Sequence, residues 1–233
     1  MIRLTLKPGR EESVLRRHPW LFSGAVAARE GDGSDGMAEV LSAAGEPLAR
    51  GAYSPGSQIL ARLWIFDGRP VDAILFRERF EAARKLREAV VPSDTTGYRG
   101  VNSEGDFCPG VLLDVYGDTA VLELLTEGTE RWRRELEEAA RNVFGPGRLL
   151  VRERGAQRDR GERHALTPAL SRGEREQSAL TPALSWGERE KRPRTDPLPE
   201  GEGVLASFTE NGLRFFADIS AGQTTGFYLD QRE

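Results

Sequence analysis

The sequence predicts an α+β chain: a small β pseudo-barrel first, a compact α+β unit next, and a β-hairpin beyond a long interruption. Three observations predict this. Short strand-like runs split by Gly and Pro turns fill residues 1–68. Two amphipathic stretches at helical spacing then alternate with further strand-like runs up to residue 154. Past that point a repeat replaces the pattern, until two apolar runs joined by Glu210-Asn211-Gly212 restore it.

Residues 2–7 alternate apolar and polar as a half-buried strand does, and Pro8-Gly9 ends the run. Glu11 to Arg17 predicts a short basic helix, closed at His18 because a residue before proline resists the helical region. Gly24 to Ala28, Ala38 to Leu41, Leu48 to Tyr53 and Ile59 to Phe66 read as strands. Val71 to Val90 places Ile74, Leu75, Phe80, Ala83 and Leu86 near helical spacing. Tyr98 to Val101, Val111 to Val115 and Ala120 to Leu125 read as strands, the last two as a hairpin across Tyr116-Gly117-Asp118-Thr119. Glu130 to Phe144 is a second amphipathic helix, stopped by Gly145-Pro146-Gly147, and Leu149 to Arg152 a further strand.

Residues 155–203 break this grammar. Ala165 to Glu176 recurs fourteen residues later as Ala179 to Glu190, with Trp186 in place of Arg172 the one difference. A decayed copy follows at Asp196 to Gly203. A proline-centred unit with so few large apolar groups cannot bury a stacked core, so a disordered, low-complexity insertion is expected. Val204 to Phe208 and Leu213 to Asp218 then predict a tight hairpin, and Ile219 to Glu233 a glycine-bounded loop entering a helix.

The chain has 233 residues, 38% of them apolar, and lacks any apolar run long enough to span a bilayer. Its first residues lack a signal peptide's apolar stretch, so the cytoplasm is the expected location. Cys108 is the single cysteine, which excludes an internal disulfide and a cysteine-rich zinc site. The net charge is −4, yet residues 1–29 carry six cations against two carboxylates, a local balance of +4. A basic end on an acidic chain suits a phosphate-facing module; a merely solvated face gives the same count.

The cluster Arg16-Arg17-His18-Pro19-Trp20-Leu21-Phe22-Ser23-Gly24 puts flat apolar rings beside cations, the pairing that single-stranded RNA recognition uses. Lys7, Arg10, Arg16, Arg17, His18 and Trp20 are therefore the candidate RNA contacts. Core packing is the competing reading for the aromatics. Cys108 is read as a buried packing residue, not a nucleophile. Glu104, Asp106, Asp114 and Asp118 lack metal-ligand spacing and are read as solvated turn carboxylates, so no metal site is expected.

Several ordered motifs carry a resemblance. Leu6-Lys7-Pro8-Gly9-Arg10-Glu11 and Gly51-Ala52-Tyr53-Ser54-Pro55-Gly56-Ser57-Gln58-Ile59 resemble the PUA domain that opens bacterial S-adenosylmethionine-dependent 23S ribosomal RNA (cytosine-C5) methyltransferases. Tyr98 to Asp106 and Pro109 to Asp118 resemble that family's linking domain, and Gly222 to Arg232 the approach to its methyltransferase domain. The resemblance implies a PUA-like domain over 1–68, a linking α+β domain over 69–154, the insertion over 155–203, and over 204–233 the start of a Rossmann-like methyltransferase domain, truncated at Glu233.

It also implies structured ribosomal RNA as the partner, with neither membrane nor DNA. S-adenosylmethionine would be the cofactor of the full-length protein, with Phe227, Tyr228, Asp230 and Gln231 on one wall of its pocket. Cytosine-C5 chemistry needs a thiolate to attack the base. No cysteine lies beyond the motif to supply it, so these residues hold no catalytic group. The expected protein is an RNA-binding N-terminal portion, inactive alone; a catalytically silent PUA-type RNA-binding protein is the alternative.

Overall fold

The computed structural model describes residues 1–153 and 205–219. Strands β1 (Ile2–Leu6), β2 (Trp20–Phe22), β3 (Val26–Glu30), β4 (Met37–Leu41), β5 (Pro47–Tyr53) and β6 (Ile59–Ile65) form one sheet in the order β2-β6-β5-β4-β1-β3. All its pairings are antiparallel except β1 on β4. The two edge strands, β2 and β3, are joined by a single 3₁₀ turn, Ser23–Ala25. A flat sheet would hold edges five strand spacings apart at ~24 Å, and three residues reach only about 10–14 Å. The sheet must therefore curl, as a pseudo-barrel does. Its interior is filled by Ile2, Leu4, Leu6, Val14, Leu21, Val40, Leu60 and Leu63.

Expected and observed elements differ here in two places. The basic helix is a single turn, α1 (Glu12–Leu15), because Arg17 adopts a left-handed φ of 60° and stops it. Trp20–Phe22 is itself a strand, paired with Arg62, Ala61 and Ile59, which the aromatic cluster had concealed.

The second unit is a four-stranded sheet, β10-β9-β8-β7, formed by β7 (Gly97–Asn102), β8 (Val111–Tyr116), β9 (Thr119–Leu124) and β10 (Arg148–Glu153). Two helices pack together on one face: α2 (Ala73–Val90) and α4 (Arg133–Phe144). Asp72 caps α2 by accepting the Leu75 N–H at 2.9 Å, and Leu75, Phe76, Phe80 and Ala83 form its buried stripe. The expected helix from Glu130 is in fact two pieces. A one-turn α3 (Glu127–Glu130), closed by reciprocal Thr126–Thr129 hydrogen bonds, precedes α4. Because α3 and α4 cross over between β9 and β10, those strands run parallel.

The other face is covered by the hairpin β11 (Leu205–Glu210) and β12 (Leu213–Asp218). Asn211 and Gly212 both have positive φ, 49° and 74°, as a tight two-residue hairpin turn requires. Phe208 stacks on Phe215 and meets Tyr116 edge-on at 5.4 Å. Gly97 admits it: a Cβ there would lie 2.1 Å from the Phe208 ring. Cover on both faces explains why Ala120-Val121-Leu122-Glu123-Leu124 is buried throughout. The repeat segment 155–203 and residues 220–233 lie outside the described residues.

The two units share a core. Trp64 belongs to β6, yet its ring packs edge-on against Phe76 at 5.0 Å and Trp132 at 6.0 Å, and its Nε1 donates to the Pro109 carbonyl at 3.1 Å. Trp64→Ala is expected to cost about 3–5 kcal/mol. Urea unfolding followed by far-ultraviolet dichroism and by tryptophan fluorescence should shift as one coincident transition. Two separate transitions, only one of them displaced, would contradict a shared core.

Candidate functional site

The basic N-terminal segment lies on the outside of the curled sheet. Lys7 is exposed, and its Nζ donates to the Gly24 carbonyl at 2.8 Å. Arg16 is exposed and ion-paired to Glu12 one helical turn back, at 2.6 Å. Arg10 and Arg17 are exposed and have no ion-pair partner among the described residues. The His18 Nδ1 accepts the Trp20 backbone N–H at 3.1 Å, and its ring meets the Trp20 indole edge-on. Trp20 is half-buried, with its Nε1 donating to Glu104 Oε1 at 2.7 Å. That bond crosses from the curled sheet to the second unit, so Trp20 acts as a tie between them.

Where the two units meet, a groove of about 200 Å³ opens. Arg17 and Pro19 border it before β2, Trp64 on β6 and Phe66 just after it, Arg79 on α2, and Glu104 and Phe107 on the loop before β8. Phe107 is 73% exposed, and its backbone is left-handed at φ 57°. Arg79 donates to the carbonyls of both Phe107 and Trp64, fastening this loop to the end of β6. Sequence reasoning passed over Phe107, and local composition held no signal for its exposure, since Asp106 and Cys108 on either side of it are buried.

The carboxylates expected as solvated turn groups are not alike. Asp106 and Asp114 are buried. Asp106 is held bidentately by Arg87 at 2.6 and 2.7 Å, and Asp114 by Arg99 at 2.8 and 3.2 Å. The correction has a simple cause: each carboxylate faces an arginine from another element, a pairing that turn composition cannot reveal. Asp118 accepts the Gly147 N–H at 2.9 Å. These acids are structural. Among the described residues no group of three or more His, Cys, Asp or Glu could hold a metal ion.

Cys108 is fully buried in the core beneath the Phe107 loop, beside Val101, Val111 and Leu136. Burial pushes its thiol up to about 12, against a smaller opposing pull from Arg79. A thiol in that state cannot act as a nucleophile near neutral pH. The four residues that the resemblance assigns to the cofactor, Phe227, Tyr228, Asp230 and Gln231, lie outside the described residues.

A PUA-like domain model matches residues 4–66. The chain is 39% identical over its whole length to ribosomal RNA large subunit methyltransferase I of Escherichia coli O139:H28, and 38% to that of Yersinia pseudotuberculosis serotype O:1b. It spans about half of those relatives, 52% of each. Among solved structures, one from Streptococcus mutans, provisionally assigned as a SAM-dependent methyltransferase, matches the whole chain at 21% identity with a TM-score of 0.66. SMU.776, a provisionally assigned methyltransferase complexed with SAH, matches 99% of the chain with a TM-score of 0.67. These two establish likeness of fold. Among the described residues no helix is long and apolar enough to cross a membrane.

The Cys108 environment makes a signed prediction. Below its ordinary value of 9.0 the thiol is protonated whether the chain is folded or not, and its contribution to stability is complete. As pH rises from 9 towards 12 the unfolded thiol ionises while the folded one keeps its proton, so stability falls. Cys108→Ala should therefore show a shallower loss of stability over that range than the parent chain, in urea titrations at stepped pH. Equal slopes would place the thiol in contact with water.

Proposed function

We propose that this chain is the RNA-binding N-terminal portion of an S-adenosylmethionine-dependent 23S ribosomal RNA (cytosine-C5) methyltransferase. The observation that carries the reading is the 39% identity, over the whole chain, to a ribosomal RNA large subunit methyltransferase, beginning in a PUA-like domain. Residues 1–68 engage structured ribosomal RNA, residues 69–154 join that module to the methyltransferase domain, and residues 204–233 begin that domain. Phe227, Tyr228, Asp230 and Gln231 contribute one wall of the adenosylmethionine pocket, in the cytoplasm.

Within this reading, RNA is held first by charge. Lys7, Arg10, Arg16, Arg17, His18 and Trp20 form the contact segment, and their weights differ. Arg10 and Arg17 meet phosphate directly, whereas Arg16 must leave Glu12 to do so. The 233 residues transfer no methyl group by themselves, since their sole thiol is the deeply buried Cys108.

Two measurements test the reading. Affinity for a 23S ribosomal RNA fragment should fall steeply with salt, each phosphate contact adding about 0.7–0.9 to the logarithmic slope. Arg10→Ala and Arg17→Ala should each reduce that slope by about one contact, and Arg16→Ala by less. A slope unmoved by all three would leave the basic segment as a solvated face. Separately, calorimetry should find adenosylmethionine bound no tighter than about millimolar, roughly −4 kcal/mol, and labelled cofactor should leave no methyl group on ribosomal RNA. Turnover abolished by Cys108→Ser would falsify the assignment of Cys108 as a packing residue.

A further inference from the structure

We propose that the groove between the two units holds one unpaired nucleotide of the RNA, with its base laid on the Phe107 ring and its phosphate taken by Arg17. This rests on the RNA-binding reading above and extends it from a charged surface to a defined base site.

Four observations carry it. The groove, about 200 Å³, is smaller than the roughly 300–1,000 Å³ that whole small-molecule ligands occupy, and is of a size for one flat ring. Phe107 offers that ring a face: it is 73% exposed although Cys108 beside it is fully buried. The exposure is enforced. The Phe107 N–H donates to the Glu104 carbonyl at 3.2 Å and its own carbonyl is held by Arg79, so the left-handed backbone cannot relax and let the ring fold inward. A left-handed conformation in a bulky residue carries a cost, and such positions concentrate at ligand sites.

The charges agree. Arg17, the groove's other left-handed residue, has no ion-pair partner among the described residues. Arg69 on the same rim is neutralised by Asp67 and Glu78, and Arg79 is committed to carbonyls. Of the two acids at the groove, Asp67 is paired with Arg69 and Glu104 is engaged by the Trp20 indole. A cation unpaired among the described residues, on the same groove as an exposed aromatic face, matches the two chemical halves of a nucleotide, and aromatic stacking is indifferent to sequence. A duplex cannot use the site, because its bases are stacked on one another and turned away.

The full 233-residue chain is titrated with two RNA probes: a hairpin with a single-stranded loop carrying one 2-aminopurine, and the same stem as a blunt duplex. Phe107→Ala should weaken loop binding roughly 5- to 150-fold, the range for losing one stacked base. It should also abolish 2-aminopurine quenching and leave duplex binding unchanged. Phe107→Tyr should retain both signals. Phe107→Asn, which tolerates the left-handed backbone, should behave as Phe107→Ala, which separates loss of the ring from any loss of fold. Arg17→Ala should lower the salt slope for the loop probe by about one contact. Parental affinity for the loop probe in both Phe107→Ala and Phe107→Asn, with Arg10→Ala still weakening it, overturns the groove and leaves the RNA-binding reading intact. A parent chain that binds neither probe overturns both.

Discussion

Trp64 is the residue on which the arrangement turns. It is placed by the pairing of β6 with β5 in the curled sheet, but its indole is spent in the core of the second unit. A fully buried tryptophan removes some 150–250 Å² of surface from water, and its N–H must then find an acceptor. The Pro109 carbonyl supplies one, from the loop that also carries Phe107 and Cys108. Strand, helix and loop are therefore fixed by a single side chain. Around it the junction is completed by Ala52 and Ile65 of the first sheet in the same core, by the Gly128 N–H on Ser54 Oγ at 3.3 Å, and by the polar ties of Trp20 to Glu104 and Arg79 to the Trp64 carbonyl.

This constraint is what makes a groove at the junction a stable feature. A cleft between units joined by a flexible link opens and closes with their relative motion, and inter-domain motion is the ordinary expectation unless the interface is apolar. Here Trp64, Phe76 and Trp132 interlock in edge-to-face contacts directly behind the groove. Arg79 lies between that cluster and the surface. It converts core rigidity into a fixed position for the Phe107 backbone, which is how a buried contact comes to set the geometry of an exposed ring.

Much of the fold was legible because its punctuation is local. Pro8-Gly9, Asn211-Gly212 and Gly145 specify backbone states that few residues adopt, and the elements they bound came out close to expectation. What escaped depends on partners far along the chain. β1 lies parallel to β4 and β10 to β9, pairings with no local signature. Asp106 and Asp114 looked like solvated turn acids until Arg87 and Arg99 arrived from other elements. Trp20 and Phe22 were read for their ring chemistry, which hid the strand between them. Of the candidate site, the cations were visible in the sequence and the groove was not, since Phe107 and Arg17 lie ninety positions apart and are brought to one rim only by the Trp64 junction.

On the reading proposed above, the same geometry lets an acidic chain face a polyanion. Net charge governs long-range approach, but contact is decided by which cations remain free within a Debye length of about 8–10 Å. Among the described residues many arginines are already engaged: Arg87 and Arg99 in buried pairs, and Arg69, Arg84, Arg133 and Arg134 in surface pairs. Exposed pairs contribute little to stability, yet each one cancels a charge that would otherwise attract phosphate indiscriminately. Arg10 and Arg17 are left out of this pairing, on the first unit's surface and at the groove's rim respectively. On that reading, an unpaired cation on the same rim as an exposed ring gives a weaker but more selective surface than a uniformly basic one, because binding then depends on a base reaching the ring as well as on phosphate reaching the charge.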